Sequence, residues 1–324
     1  MSAPSVTAVV TVHNQARYLA EALASVLAQT RAPLDVVVLD DGSTDEPGGV
    51  CAQFGAAVTY VRQPRRGVGA ARNAGLRHAR GDFLAYLDGD DVWEPGHVEA
   101  QVTALDRVPG AGLVITDGVE FDEGGIRCDG LLGRPVREAL NATSDAVVPM
   151  ALHDALLAEN LIFTASQAAV PRAVFARVGP WREDLRGSDD YELWLRIARH
   201  YPVAVVRAPL TRWRYTATSA SGHEELRPFT WGRWNFDALR AHWPLVPGPK
   251  RPAFRRHLDE VATGLARSAY HRAVREDRRW GTRYLLALAG ASRRPARVLP
   301  YLLALWTPAR VRSGLGRLAR RAPR

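Results

Sequence analysis

Three carboxylates fall within four residues at Asp88, Asp90 and Asp91, directly after the apolar run at residues 83–87. Gly81 and Gly89 bound that run, so it reads as a short buried strand that ends in a loop. A negative cluster this dense is costly unless a cation neutralises it, and hard oxygen donors suit Mg2+ or Mn2+. The residues alone therefore offer a metal–diphosphate site, with a solvated acidic turn as the plain structural alternative. Two other readings fail on spacing. An EF-hand loop beginning at Asp88 would need glycine at its sixth position, where Trp93 stands. A dinucleotide fingerprint in Gly67-Val-Gly-Ala-Ala-Arg72 would need a third glycine where Arg72 stands.

The elements that must position these acids alternate along the first ninety residues. Residues 6–12 are a β-rich apolar run stopping at His13-Asn14, and Leu19, Ala22, Leu23, Val26 and Leu27 follow at helical spacing. Residues 34–39 predict a second strand, running into the turn-rich Asp40-Asp-Gly-Ser-Thr-Asp45, where Ser43 or Thr44 is suited to cap a helix. Residues 58–61 predict a third strand and residues 67–78 a helix. This alternation argues for an α/β fold, Rossmann-like, with a mostly parallel sheet and helices on both faces. Ligands of such sheets bind beyond the carboxyl ends of the strands. His13-Asn14, Asp40-Asp41 and Asp88–Asp91 all lie at such ends.

Composition bounds the rest. With 324 residues, 47% hydrophobic and 24% charged, the chain has room for two domains and ordinary globular composition. Cys51 and Cys128 are far apart and lack metal-ligand spacing, which excludes a disulfide framework or zinc site and suits a reducing, cytoplasmic compartment. The N-terminal Met-Ser-Ala-Pro does not read as a secretory signal, and no run of about 18 apolar residues suggests a membrane span. The net charge of +9 hides a split. Residues 1–225 hold 21 basic and 29 acidic residues, whereas residues 226–324 hold 22 and 5, a balance of −8 against +17. Opposite charge suggests two regions with two jobs, 1–225 and 226–324.

Four motifs in order now carry a resemblance: Thr11-Val-His-Asn14, Val38-Leu-Asp-Asp-Gly-Ser-Thr-Asp45, Gly67-Val-Gly-Ala-Ala-Arg-Asn-Ala-Gly75 and Leu87-Asp-Gly-Asp-Asp-Val-Trp-Glu-Pro95. Together they resemble glycosyltransferase family 2, whose members are inverting, nucleotide-sugar-dependent enzymes of the GT-A fold. Gly187-Ser-Asp-Asp-Tyr-Glu-Leu-Trp-Leu-Arg196 is similar to the family's acidic catalytic motif. The likeness covers about residues 5–220. It implies that Asp90 ligates a Mn2+ or Mg2+ ion bridging the diphosphate, that Asp88 contacts the ribose or the metal's water shell, and that Asp91 adds to that shell. It implies that Asp41, with Asp40 beside it, accepts from a uracil-type base, and that His13, next to Asn14, either stacks near the base or is a satisfied strand-end histidine. Arg72 and Asn73 match the family's Arg-Asn pair, Arg72 steadying a phosphate or pairing with a loop carboxylate, while Gly75 serves close packing. Asp190 matches the second carboxylate of the family's Glu-Asp pair and is the implied general base, with Asp189 in the Glu place. Leu193, Trp194, Leu195 and Ile197 read as core, with Trp194 lining an acceptor pocket as the alternative.

One departure concerns the metal shell. Where the family shows a histidine after this helix, Thr216 stands in Arg212-Trp-Arg-Tyr-Thr216. The shell then uses water or a substrate oxygen, or His223 reaches in, or metal dependence is weakened; Arg214 remains available to the diphosphate. The C-terminal third reads as helices broken by Pro244, Pro247, Pro249 and Pro308, ending in a disordered basic tail at residues 317–324. Residues 284–303, with Arg293, Arg294 and Arg297 between apolar blocks, suit an interfacial helix pair peripheral to the inner face of an anionic membrane. A solvated helical domain or dimer surface is the alternative.

The whole reads as a metal-dependent, UDP-sugar-using hexosyltransferase in polysaccharide, glycolipid or glycoconjugate synthesis, acting on a carbohydrate or lipid-linked acceptor. The competing reading is a catalytically dead scaffold binding membrane or nucleic acid through its basic end. Nucleic acid is disfavoured because aromatic platforms are sparse among the arginines.

Overall fold

The computed structural model describes residues 4–216, 227–292 and 294–307. The chain divides into two compact units, Met1–Ser219 and Ala220–Arg324.

The first unit is built on β1 (Val6–Val12), α1 (Ala16–Leu27), β2 (Asp35–Asp41), α2 (Pro47–Ala52), β3 (Thr59–Gln63), α3 (Val68–His78), β4 (Phe83–Asp88), β5 (Val92–Trp93) and α4 (His97–Arg107). There follow β6 (Leu113–Asp122), β7 (Gly125–Asp129), α5 (Arg134–Asn141), β8 (Val147–Met150), α6 (His153–Ala158), β9 (Ala168–Pro171), α7 (Val174–Val178), α8 (Asp189–Ala198) and β10 (Val203–Arg214). The sheet runs β3-β2-β1-β4-β9-β6-β10-β5, with β7 on β6 and β8 on β10. Its first four strands are parallel, as the alternating pattern predicts. From β9 onward it becomes mixed: β9 runs antiparallel to β4 and β6, while β10 and β6 are parallel.

β1 is buried along its whole length, which is why it reads as a continuous apolar run instead of an alternating one. α1 turns Leu19, Ala22, Leu23 and Val26 inward against β1, β2 and β4 and leaves Leu27 exposed. β2 starts one residue later than expected because Leu34 is exposed. β3 lies at the sheet edge, where partial burial suffices. Ser43 and Thr44 do not cap α2, which begins at Pro47 behind Glu46 without a side-chain cap. They tie to Asn14 instead: its backbone N–H donates to Ser43 Oγ at 3.1 Å, and Thr44 N–H donates to its Oδ1 at 2.8 Å. Asp45 accepts from the N–H of Ala16 at 2.8 Å, so the second loop satisfies the first turn of α1.

The second unit holds α9 (Arg227–His242), α10 (Arg251–Arg275), α11 (Arg278–Ala291) and α12 (Leu299–Trp306). Asp277 caps α11 by accepting from the N–H groups of Arg279 and Trp280. Gly281 permits the closest approach here: a Cβ at that position would stand 2.1 Å from Ala273 Cβ. Among the described residues, no helix is long and apolar enough to cross a membrane. Pro308, His223, Arg293 and the tail at 317–324 lie outside the described residues.

Candidate functional site

Parallel pairing brings the polar strand ends to one edge. Thr11 is level with Asp88 across β1 and β4, and Val12 is level with Asp40 across β1 and β2. Asn14 turns the chain there at a φ of 56°, a left-handed conformation that asparagine tolerates. The neighbouring His13 is half-buried, its Nδ1 without a partner.

The two acids after β2 are bound into the loops around them. Asp40 has no exposed surface and accepts from Ser43 N–H at 2.8 Å and Tyr60 OH at 2.6 Å, with Arg62 3.5 Å away. Burial by itself would raise this carboxyl, but the Ser43 and Tyr60 hydrogen bonds and the Arg62 charge outweigh it and hold it below the usual range. Asp41 accepts from Gln63 Nε2 and from the N–H groups of Arg66 and Gly67, all within 2.8 Å. Gly67, at a φ of 97°, lets the chain leave this cradle and enter α3.

Every residue of α3 from Gly69 to Gly75 is buried. Two glycines allow this: a Cβ on Gly75 would meet Val9 Cγ1 at 2.4 Å, and one on Gly69 would meet the Arg182 carbonyl oxygen at 2.3 Å. The helix thereby carries Arg72 under the acidic loops. Its Nη2 donates to Asp88 at 2.9 Å and its Nη1 to Asp189 at 2.8 Å, while the guanidinium lies over Trp181 at 4.8 Å. Arg72 is 4% exposed, yet the carboxylates outweigh burial and keep it protonated. Asn73 locks the neighbouring loop, exchanging hydrogen bonds with both backbone groups of Trp181 and donating to Glu183.

The three acids after β4 have separate fates. Asp88 accepts from Thr11 Oγ1 and Arg72. Asp91 is fully buried, accepting from Ser166 Oγ at 2.5 Å and Arg214 N–H at 2.8 Å, with Thr164 Oγ1 at 3.4 Å. Its carboxylate holds the loop in place, a structural use that the expected part in a metal shell did not include. Asp90 is 8% exposed, and burial followed by the charge of Asp88 pushes its carboxyl up to about 7. A backbone hydrogen bond, then the charge of Arg214 and a hydrogen bond from Gln15, oppose that shift without cancelling it.

Asp189 and Asp190 open α8 behind Ser188, which is held at a left-handed φ of 52°. Asp189 is buried on Arg72. Asp190 is half-buried, accepts from the N–H of Tyr191 at 2.7 Å, and is pushed up to about 7 by burial and then by Asp189. A carboxyl poised there is suited to take a proton near neutrality. Arg72 thus joins two acidic loops 101 residues apart, Asp88 and Asp189, and a carboxyl beside each anchor, Asp90 and Asp190, is pushed up to about 7.

Some expectations resolve differently. Arg214 does not stand open for a diphosphate: its guanidinium pairs with Glu21, donates to the Asp90 carbonyl and stacks on Tyr18 and Phe121. Trp194 is fully buried edge-on to Trp181, so it is core. Thr216 is buried, and His223 lies outside the described residues. Thr11, Gln15, Ser166 and Trp181 escaped the sequence reading. Only Thr11, on the strand facing the acidic loop, sits inside a recognisable motif.

Among the described residues, no three His, Cys, Asp or Glu side chains are arranged to hold a divalent cation by themselves. Asp90, with Asp88 as its repelling neighbour, still fits an ion that takes one or two carboxylates from protein and completes its shell with phosphate oxygens.

Residues 7–127 match the model for glycosyl transferase family 2. This segment is a family 2 glycosyl transferase domain. An uncharacterized glycosyltransferase of Rickettsia felis is 30% identical over 226 residues, covering 67% of this chain and 35% of that protein. The chain thus spans about a third of that curated relative's length. The GT-A fold of the family 2 domain is seen in solved structures as well. S. aureus TarS 1–349 in complex with UDP matches with a TM-score of 0.61 at 15% identity, over 98% of this chain and 87% of that one. A mannosyltransferase from Pyrobaculum calidifontis, in complex with GDP-Man and Mn2+, matches with a TM-score of 0.53 at 23% identity, over 97% and 85%.

Proposed function

We propose that this chain transfers a sugar, with inversion, from a nucleoside diphosphate sugar to an acceptor hydroxyl. The observation that carries the reading is the Arg72 bridge, which puts the Asp88–Asp90 loop and the Asp189–Asp190 helix start beside one another at the carboxyl edge of the parallel strands. One loop offers a carboxylate to a cation and the other a proton acceptor, the two functions that displacement of a diphosphate by a hydroxyl requires.

In this reading Asp190 removes the proton from the acceptor hydroxyl as the oxygen attacks the anomeric carbon on the face opposite the leaving diphosphate. An α-linked donor then yields a β-linkage. Arg72 partly offsets the burial of Asp189, and burial followed by the Asp189 carboxyl raises Asp190 toward the working pH. Asp90, with Asp88, would hold Mn2+ or Mg2+, which neutralises charge on a departing diphosphate as a Lewis acid. Asp41 and His13 flank the nucleoside, with the Asp41 hydrogen bonds keeping the loop before α3 in place. A UDP-sugar is the donor we assign, supported by the UDP complex of the TarS structure; the GDP-Man complex makes GDP-sugars the comparison to run. The acceptor is a carbohydrate or lipid-linked hydroxyl in polysaccharide, glycolipid or glycoconjugate synthesis.

The test is a nucleotide-sugar panel measured for binding and turnover, with and without Mn2+, on wild type, Asp90→Ala and Asp190→Asn. We expect one donor to bind with metal, Asp90→Ala to lose that binding, and Asp190→Asn to bind without turning over. Failure of every nucleotide sugar to bind under any metal condition would overturn the reading.

A further inference from the structure

We propose that the α11–α12 face of the second unit docks flat on an anionic lipid bilayer. α12 is the uncharged octapeptide Leu-Pro-Tyr-Leu-Leu-Ala-Leu-Trp. It buries Leu305 completely but leaves Leu299, Leu303 and Trp306 at 41%, 69% and 57% exposure. These three sit at i, i+4 and i+7, one stripe of one helix. On α11, Thr282 and Leu286 are likewise four apart, and Leu286 is 53% exposed. Trp306 Nε1 donates to Thr282 Oγ1 at 2.8 Å, which joins the two stripes into one apolar strip. Four large exposed apolar side chains together are more than a soluble surface scatters by chance.

Charge selects the occupant. Arg283 and Arg279 lie one and two turns before Leu286 on α11, Arg297 precedes α12, and all three are exposed. From residue 278 to residue 324 the sequence holds 12 arginines and no acidic residue. A second copy of this chain would set like charge against like charge. RNA would want flat rings to stack on, and three of the four exposed apolar residues are leucines. An anionic bilayer answers both features, acyl chains for the leucines and headgroup phosphates for the arginines, with tryptophan at the boundary. An eight-residue helix is too short to span, so it would lie in the interface. This inference stands apart from the donor chemistry, since none of its residues belongs to the catalytic unit.

The experiment is flotation of the full chain with vesicles of pure phosphatidylcholine or of phosphatidylcholine with phosphatidylglycerol. Wild type is expected to float with the anionic vesicles only and to be released by salt. Leu303→Asp should lower partitioning about tenfold or more, and Arg279→Ser with Arg283→Ser should weaken it about fivefold per charge at low salt. Circular dichroism and donor binding, read on the same preparations, should stay at wild-type values because the altered side chains are exposed. Equal flotation with neutral and anionic vesicles, or no response to Leu303→Asp, overturns the proposal. A change from dimer to monomer in Leu303→Asp without a change in flotation would assign the face to a second copy and overturn it as well. RNA binding lost in the arginine variant, with flotation unchanged, would do the same for a nucleic-acid partner.

Discussion

Asp40 and Asp90 are both buried aspartates at the ends of β2 and β4, the parallel strands on either side of β1, and their carboxyls move in opposite directions. Asp40 is held below the usual range and Asp90 is pushed up to about 7. Burial pushes both upward, so desolvation does not separate them. The difference lies in what surrounds the charge. Asp40 receives a backbone N–H, a phenol and an arginine, whereas Asp90 receives a neighbouring carboxylate and little opposing charge. Asp189 and Asp190 are both raised because burial outweighs the Arg72 charge, but only Asp189 is paired directly with that arginine. Asp40 and Asp91, whose oxygens are filled by protein donors, shape the loops, and Asp90 and Asp190 are left for ligand chemistry.

The contrast breaks most sharply at Asp190. Replacement by Asn should cut transfer about 10²- to 10⁴-fold, the usual contribution of a positioned base, with donor affinity nearly unchanged. In wild type, kcat/KM should rise with pH through about 7 and then level. Retained activity in Asp190→Asn, measured by product formation, would remove Asp190 from the chemistry.

Arg72→Met should lower unfolding free energy by about 3–5 kcal/mol, since it leaves Asp88 and Asp189 without their shared cation. Urea melts would measure it. Adding Asp189→Asn to that variant should recover part of the loss, because one stranded charge is then removed.

The pH dependence of stability sharpens the comparison further. Asp90 keeps its proton to about 7 when folded but loses it near the ordinary aspartate value of 3.8 when unfolded. Between those limits the native state binds more protons, so stability of the metal-free protein should fall as pH rises, by up to about 1.4 kcal/mol per pH unit from this group. Above about 7 its contribution levels off. Asp90→Asn should flatten that slope in melts recorded from pH 4 to 8, and an unchanged slope would contradict the assignment.

Tyr60→Phe probes the compensated side. Losing a hydrogen bond to the buried Asp40 carboxylate should cost about 1.5–3 kcal/mol and leave the pH profile of transfer in place. A shift in that profile would mean that Asp40 and Asp190 are coupled.

Much of the site was legible because its pieces are local. The strand ends at His13, Asp40 and Asp88, the helix carrying Arg72 and Asn73, and the acids before the packed Leu193–Ile197 stretch all follow from apolar runs stopped by turn residues. Gly75 was readable as a packing glycine, and Val9 is what it packs on. The mixed half of the sheet was less legible, because β5, β8 and β9 are only two to four residues long and carry little periodicity.

By itself the sequence determined where strands end, which helix faces are apolar and which acids lie at the carboxyl edge, since these depend on neighbours within a few residues. Only the tertiary structure decided that Asp91 turns to Ser166 and Arg214, that Arg72 reaches an aspartate 117 residues away, and that Leu303 stays outside while Leu305 goes in. The physical reason is that a buried carboxylate's charge depends on the donors and charges that distant segments bring to it, and a side chain's burial depends on the partner its helix meets. Neither quantity is carried by local spacing.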